Sequence, residues 1–333
     1  MRMKAASLFA GIGGFCAGFN KHGFETVWAN DNDRVACSIY RHNFPGVRVI
    51  EKDVTDLNVK KDELEPVDVL HAGFPCQSFS QAGPKTGFDD DRGQLFFQIP
   101  RIVKQFKDRK PKVLVLENTP FIRSGDGGSW FLEVTERLQK AGYWFRGSNA
   151  MVLDLYDVSD RPQQRPRLFM IAFSRDHFRS GRITLPTNGH ADEPKDLSRF
   201  IDFQGQQADR YYLDEQNRYF EMIKKEYKDT SDGKHIYQLR KYLVRQKKPN
   251  TCPTLTANMG MGGHNVPFVW DKKGLRKLTE AECLKLQGFP DWFSFPEGVS
   301  APQQYMKIGN SVAPPVADVV AKAVRHRITE RKE

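Results

Sequence analysis

Short apolar runs alternate with amphipathic stretches through the first half of the chain, and this alternation limits the fold more than any other feature. Runs at 4–9, 25–30, 47–50, 67–72, 113–116 and 168–173 read as strands. The stretches 15–22, 34–42, 95–106 and 130–141 between them read as helices. Strands and helices in that order predict an α/β domain with a largely parallel, doubly wound sheet. Such sheets bind ligands beyond the carboxyl ends of their strands. The polar and glycine-rich motifs of this chain fall at those ends.

The rhythm is lost from about residue 185. Residues 185–262 are polar and carry no long apolar strand, and 221–248 hold nine Lys/Arg against four Asp/Glu. Three parts are expected: a catalytic and cofactor-binding domain over 1–182, a smaller irregular domain over 183–299, and a C-terminal segment, 300–333, returning to the first domain. Within that segment 314–327 reads as a helix opened by Pro315, with Val316, Val319, Val320 and Val324 as its apolar face. The 333 residues suit two domains. No window of 18 uninterrupted apolar residues predicts a membrane span. The basic start Met1–Lys4 precedes an apolar run that glycine breaks, which reads as a first buried strand rather than a signal peptide. A cytoplasmic protein is expected.

Five widely spaced cysteines form no CxxC pair, so neither a zinc site nor a disulfide framework is predicted. A cysteine that matters here must matter for its reactivity. The net charge of +10 gives a field that attracts polyanions.

Strand one runs into Phe9-Ala10-Gly11-Ile12-Gly13-Gly14, a turn that brings backbone close to a ligand. The dinucleotide fingerprint G-x-G-x-x-G fails at its third glycine, where Cys16 stands. This argues against a nicotinamide oxidoreductase. Asp31, twenty residues after Gly11, is placed to accept from ribose hydroxyls, and Asp53 follows strand three. A nucleoside site fits; the plainer reading is a tight turn with helix-capping acids.

Strand four runs into Gly73-Phe74-Pro75-Cys76-Gln77-Ser78-Phe79-Ser80 and then a polar, glycine-punctuated stretch to Gly93. Long loops in compact domains are usually functional, and Pro75 stiffens the chain ahead of Cys76. A thiol fixed at a strand end beside such a loop is a candidate nucleophile, aided by nearby cations such as Arg165.

Phe74–Ser80 resembles the nucleophile motif of the cytosine-5 DNA methyltransferases, bacterial restriction-modification type, and the glycine turn resembles their cofactor motif. Leu116-Glu117-Asn118-Thr119 resembles the family's Glu-Asn-Val, with Thr119 in place of Val. Gln163-x-Arg165-x-Arg167 resembles Gln-x-Arg-x-Arg. Arg276–Thr279 with Glu282 and Gln287-Gly288-Phe289-Pro290 resembles the motif bracing the recognition domain. Tyr305-x-x-Ile308-Gly309-Asn310-Ser311-Val312 resembles the last motif. Together these span about 7–320, in the family's order.

The resemblance implies the Rossmann-like fold of S-adenosylmethionine-dependent methyltransferases and a transfer of methyl to carbon 5 of cytosine. Carbon 5 is a poor nucleophile until a thiolate adds to carbon 6. Cys76 is implied as that thiolate, with Pro75 beside it. Glu117 is implied at N3 of the base, sharing a proton with it, so burial should raise its pKa. Arg165 is implied at O2, and Arg167 in orienting the site. The target lies inside a duplex, so the base must be flipped out.

The cofactor is implied to be S-adenosyl-L-methionine, leaving as S-adenosyl-L-homocysteine, with no metal. Phe9, Ala10, Gly11, Gly13 and Gly14 would line its pocket. Asp31 would take the ribose hydroxyls and Asp53 the adenine amine, with Val54, Pro75 and Leu95 alongside. Asn32 stands where an apolar neighbour would stack on adenine. Asn310 and Ser311 would close the far side.

Double-stranded DNA is the implied partner, with Gln77, Ser80, Gln81 and Arg92 from the loop toward it. Arg240, Lys241, Thr256, Asn258, Gly262 and Gly263 would contribute from the small domain. Phosphate contacts position a protein and groove contacts specify sequence. A monomer near the nucleoid is expected, with a cognate restriction endonuclease as a further partner. Two other functions share the motifs: a tRNA cytosine-5 methyltransferase and a catalytically silent DNA-binding regulator. The basic region ahead of Gln287 favours DNA over tRNA. The joint presence of Cys76, Glu117 and Arg165 argues against a silent protein.

Overall fold

The structure, a computed structural model, describes residues 2–79, 86–227, 234–240, 243–260 and 265–330. It divides into two compact units. One comprises Met1–Asp154, Pro166–Thr187 and Pro314–Glu333, the other Leu155–Arg165 and Asn188–Ala313. Segments 155–165 and 300–313 thus group with the second unit, where Tyr305 and Ile308 enter its apolar core.

The first unit is built on an eight-stranded sheet. Its strands are β1 (Met3–Leu8), β2 (Phe24–Asp31), β3 (Arg48–Glu51), β4 (Val69–Gly73), β5 (Val113–Asn118), β6 (Tyr143–Trp144), β7 (Ala150–Asp154) and β8 (Pro166–Ser174). The order is β3-β2-β1-β4-β5-β8-β6, with β7 also pairing β8. The first five are mutually parallel; β8 runs antiparallel to β5, and β6 and β7 antiparallel to β8. From β1 the chain winds outward to β3, then returns to β4 on the other side of β1. The switch point therefore lies between β1 and β4, where ligand crevices of doubly wound sheets form.

Every residue of β5 is buried, and the apolar runs of β1, β4 and β8 join it in one core with Phe74, Phe79, Phe96 and Trp130. Strands buried on both faces read as unbroken apolar runs, which is why their existence was legible. β6 and β7 were not predicted; two residues, or five broken by the exposed Val152, leave no clear pattern. The expected helix 15–22 is an α-helix, Gly14–Phe19, followed by a 3-10 turn, Asn20–His22. The expected helix 95–106 opens as a 3-10 turn, Leu95–Phe97, before α-helix Gln98–Gln105. The last helix, Pro314–Thr329, buries Val316, Val320 and Val324.

The second unit is not irregular, as its sequence suggested. It carries a four-stranded antiparallel sheet, β9 (Tyr237–Leu239), β10 (Val244–Gln246), β11 (Pro267–Trp270) and β12 (Leu275–Lys277), in the order β10-β9-β11-β12. Three or four residues per strand are too few for a period of two to stand out.

The centre of this unit is ionic. Arg276, fully buried, donates through Nε to Asp271 Oδ2 (2.7 Å) and through Nη1 and Nη2 to both oxygens of Glu282 (2.8 Å each). Its remaining N–H groups reach the carbonyls of Lys277 and Asp202. Glu282 also closes a capping box with Thr279 at the start of helix Glu280–Gln287. A buried charge is tolerated when it is paired and its hydrogen-bonding groups are satisfied, and that condition is met here. No helix among the described residues is long and apolar enough to cross a membrane.

Candidate active site

In the first unit, register brings the strand-end motifs to one edge. Leu8 pairs with Ala72 and with Asn30, Asp31 with Glu51, and Gly73 with Glu117. Beyond β1 the backbone turns at once. Phe9 takes φ +52, a conformation that costs a side-chain-bearing residue strain. Gly11 follows at +54 and Gly13 at +92. A Cβ on Gly13 would lie 2.3 Å from the Phe44 ring, so that position must be glycine. In front of Gly11 the space is open: a Cβ there would meet nothing within 4 Å.

Asp31 bonds this turn, and Asp53 follows β3, the strand beside β2. Asp31 accepts the Gly11 N–H at Oδ2 (2.8 Å) and the Asp33 N–H at Oδ1 (2.9 Å). Asp53 caps the 3-10 turn Val54–Asp56. Its Oδ1 accepts from the Thr55 N–H (2.9 Å) and hydroxyl (2.7 Å), and its Oδ2 from Asn32 Nδ2 (3.1 Å). The Thr55 hydroxyl first, then the Thr55 N–H and the Asn32 amide, hold the Asp53 carboxyl below the usual carboxylate range. Val54 is buried and Leu95 packs on the core. An open approach over Gly11, with the Asp31 carboxylate bonded to the turn and Asp53 past the end of the next strand, fits a nucleoside-bearing cofactor.

Cys76 lies three residues past Gly73, the partner of Glu117. The other four cysteines are buried, whereas Cys76 is half-buried. Burial pushes Cys16 up to about 11 and Cys37 up to about 12, and raises Cys252 and Cys283 as well. Those four thiols are poor nucleophiles.

Glu117 is buried, and Arg167, at the start of β8, places Nε 3.1 Å from its Oε1. The antiparallel register explains the meeting: Glu117 opposes Phe169, so Arg167 lies two residues along, on the same face of the sheet. The side chain between these elements is Asn118, which sequence reasoning did not select. Fully buried, it donates Nδ2 to Phe74 O (3.1 Å), while its Oδ1 accepts the Thr119 N–H (2.8 Å). It ties the end of β5 to the backbone just ahead of Pro75 and Cys76.

Of the loop residues, Gln77 opens the 3-10 turn Gln77–Phe79, and Ser80 and Gln81 lie outside the described residues. Arg92 grips Asp90 through Nε (3.0 Å) and Nη2 (3.1 Å), and Ser78 donates to the same carboxylate (2.9 Å). These bonds, the Arg92 ones first, hold the Asp90 carboxyl well below the ordinary range.

The second unit holds the other predicted residues. Arg165 is buried and donates Nη1 to Leu255 O (2.8 Å) and Nη2 to Gly309 O (2.9 Å) and Ser311 O (2.7 Å). Gln163 bonds Leu286 O, Gln287 Oε1 and Leu255 N, and Gln287 donates to Ser311 O. The Gln-x-Arg segment thereby pins Leu255 and Ser311 to one another. Gly309 packs so closely on Thr256 and Ala257 that a Cβ would lie 2.3 Å from Thr256 C. Thr256 donates to Asn258, Asn310 is exposed, and Ser311 is buried. Arg240 bonds Asn265 Oδ1. Lys241, Gly262 and Gly263 lie outside the described residues. Among the described residues no group of three or more His, Cys, Asp or Glu is arranged to hold a metal ion.

A doubly wound sheet with a strained glycine turn after β1, Asp31 at the end of β2, Cys76 past β4 and Glu117 in β5 has the Rossmann-like architecture of the S-adenosylmethionine-dependent methyltransferases. The family model described as "C-5 cytosine-specific DNA methylase" matches residues 3–326. The chain belongs to that family, and is a DNA cytosine-5 methyltransferase. It is 39% identical over 328 residues to the Type II methyltransferase M.Bsp6I of Bacillus sp. (strain RFL6), covering 97% of this chain and 98% of that one. It is 33% identical over 335 residues to the Type II methyltransferase M.NlaX of Neisseria lactamica, covering 99% of each. The solved Entamoeba histolytica methyltransferase EhMeth shares the fold, with a TM-score of 0.73, 20% identity and coverage of 98% and 99%.

Proposed function

We propose that the enzyme methylates carbon 5 of a cytosine flipped out of a short duplex DNA sequence, through a covalent bond between Cys76 Sγ and carbon 6. The observation that carries this reading is the arrangement around β4 and β5. Gly73 pairs with Glu117, Asn118 holds Phe74 O, and Cys76 follows as the half-buried thiol. The thiolate adds to carbon 6, and the electron pair moves through the ring toward N3. Glu117 supplies a proton there and accepts from the exocyclic amine, with Arg167 balancing its charge. Arg165, already fixed by three carbonyls, is assigned to the base's O2.

The cofactor site in the first unit is assigned to Phe9, Ala10, Gly11, Gly13, Gly14, Asp31, Asn32, Asp53, Val54, Pro75 and Leu95; Asn310 and Ser311 are assigned to cofactor binding by their motif alone. When bound there, S-adenosyl-L-methionine supplies an electrophilic methyl and leaves as S-adenosyl-L-homocysteine. Asp31, oriented by the Gly11 and Asp33 N–H groups, faces the ribose hydroxyls. Asp53 faces the adenine amine. N3 returns its proton to Glu117 as the methyl is taken up, water then takes the carbon 5 proton, and the electrons of that bond restore the carbon 5–carbon 6 double bond as the thiolate leaves carbon 6. Residues 183–299 are assigned to target recognition and 1–182 with 300–333 to catalysis. The biological role we assign is protection of host DNA from a cognate restriction endonuclease, by a monomer acting in the cytoplasm at the nucleoid.

Labelled cofactor with duplex DNA and with tRNA tests the reading. Label is expected in DNA, and Cys76→Ser is expected to abolish it while DNA binding persists. Label confined to RNA, or methylation by Cys76→Ser, would refute it.

A further inference from the structure

Two asparagines join the ends of β2 and β3. Asn30 is buried and donates Nδ2 to Ile50 O (3.0 Å) and Lys52 O (2.8 Å), a purely architectural use. Asn32, two residues on and exposed, instead donates Nδ2 to the side chain of Asp53, at Oδ2 (3.1 Å). Thr55 takes the other oxygen with both its N–H and its hydroxyl. The Asp53 carboxylate is thus held at both ends, and among the described residues Asn32 is the side chain on Oδ2.

Each carboxylate oxygen accepts along two directions. Thr55 occupies both on Oδ1. Asn32 occupies one on Oδ2, which fixes where the second points and keeps the carboxylate from turning about its last torsion, otherwise broad. We propose that Asn32 is a positioning residue that aims Asp53 Oδ2 at the exocyclic amine of adenine, and so sets the preference of the cofactor site for adenine over a base with a carbonyl at that position. The inference rests on the reading that Asp53 accepts from that amine. It assigns Asn32 a polar task where an apolar side chain would stack on the base. A stacking contact would serve both bases alike; an aimed acceptor serves only the amine, because a carbonyl in its place repels the carboxylate.

Titration calorimetry of the full chain with S-adenosyl-L-homocysteine and S-inosyl-L-homocysteine tests this. The wild type should prefer the adenosyl ligand by about tenfold or more, the effect of one charge-assisted hydrogen bond. Asp53→Ala should bring the ratio near one. Asn32→Ala, at an exposed position that leaves the fold intact, should cut the ratio by about fivefold. It should change inosyl binding by less than about twofold. A wild-type ratio near one, or a ratio that survives Asp53→Ala, overturns the reading of Asp53 and the inference with it. A ratio lost in Asp53→Ala but kept in Asn32→Ala overturns the inference alone. So does an equal weakening of both ligands by Asn32→Ala.

Discussion

In the first unit the sheet is built largely of apolar runs, and the residues proposed for the site, Gly11, Asp31, Cys76 and Glu117, lie at or near its strand ends. In the second unit polar groups occupy the middle: Arg276 lies fully buried among Asp271, Glu282 and two carbonyls, and Gln163 and Arg165 draw together segments distant in sequence. A large apolar core can hold a polar edge in place without using it for stability. A small domain with strands of three and four residues has less apolar surface to bury, and here buried ion pairs fix its arrangement. The contrast predicts that substitution of Glu117, at the edge of the first sheet, lowers activity more than stability, and that substitution of Arg276, at the centre of the second unit, lowers stability more than activity.

The largest effect should come from Glu117→Gln. It keeps the shape and removes the acid, so kcat should fall about 10²–10⁴-fold, with the melting temperature nearly unchanged. A large drop in melting temperature would break the comparison by making Glu117 architectural. Next is Arg276→Met. It strands Asp271 and Glu282 as buried charges, which costs about 3–5 kcal/mol. Chemical denaturation followed by hydrogen exchange should show protection lost in β11, β12 and helix Glu280–Gln287 first. Uniform loss across both units would contradict the division.

One buried polar group tests the first unit in reverse. His71, in the middle of β4, is fully buried against Phe15 and Phe19, and Cys16 Sγ faces its Nε2 at 3.9 Å. Burial pushes its imidazole down from 6.5 to about 3. The folded chain keeps it neutral, while the unfolded chain takes up a proton below about 6.5. Stability supplied by the neutral ring is therefore complete above pH 6.5 and lost as pH falls toward 3, by about 1.4 kcal/mol per unit. His71→Leu should be less acid-sensitive than the wild type, the gap in denaturation midpoint widening from pH 6.5 to 5. A gap constant with pH would show the imidazole to be protonated inside the fold.

The same contrast explains what the sequence disclosed. Six strands of the first sheet announced themselves as apolar runs, β6 and β7 did not, and the edge motifs followed from the ends of β1 to β5. Asn118 and Gln163 stood in recognisable motifs without a role, and Thr55 in none, since a hydrogen bond to a backbone carbonyl or a neighbouring carboxylate leaves no spacing to read. Asn32 looked like a missing stacking partner; its bond to Asp53 crosses between two strands and exists only once they pair. Arg165 and Arg167, two residues apart, belong to one motif, with Arg165 implied at the base's O2 and Arg167 in orienting the site. In the structure Arg167 pairs with Glu117 in the first unit, and Arg165 binds carbonyls in the second. The second sheet was hidden by strands too short to show a period.

The central claim is the bond between Cys76 and the target base. Duplex DNA carrying 5-fluorocytosine at the methylated position tests it most directly, because fluorine at carbon 5 cannot leave as a proton does, and the thiolate is then not expelled. Incubation with S-adenosyl-L-methionine, digestion and mass spectrometry should find the modified nucleotide on the peptide containing Cys76, and no adduct in Cys76→Ser. Methylation of ordinary DNA with no trapped adduct, or an adduct on any other residue, would contradict the account.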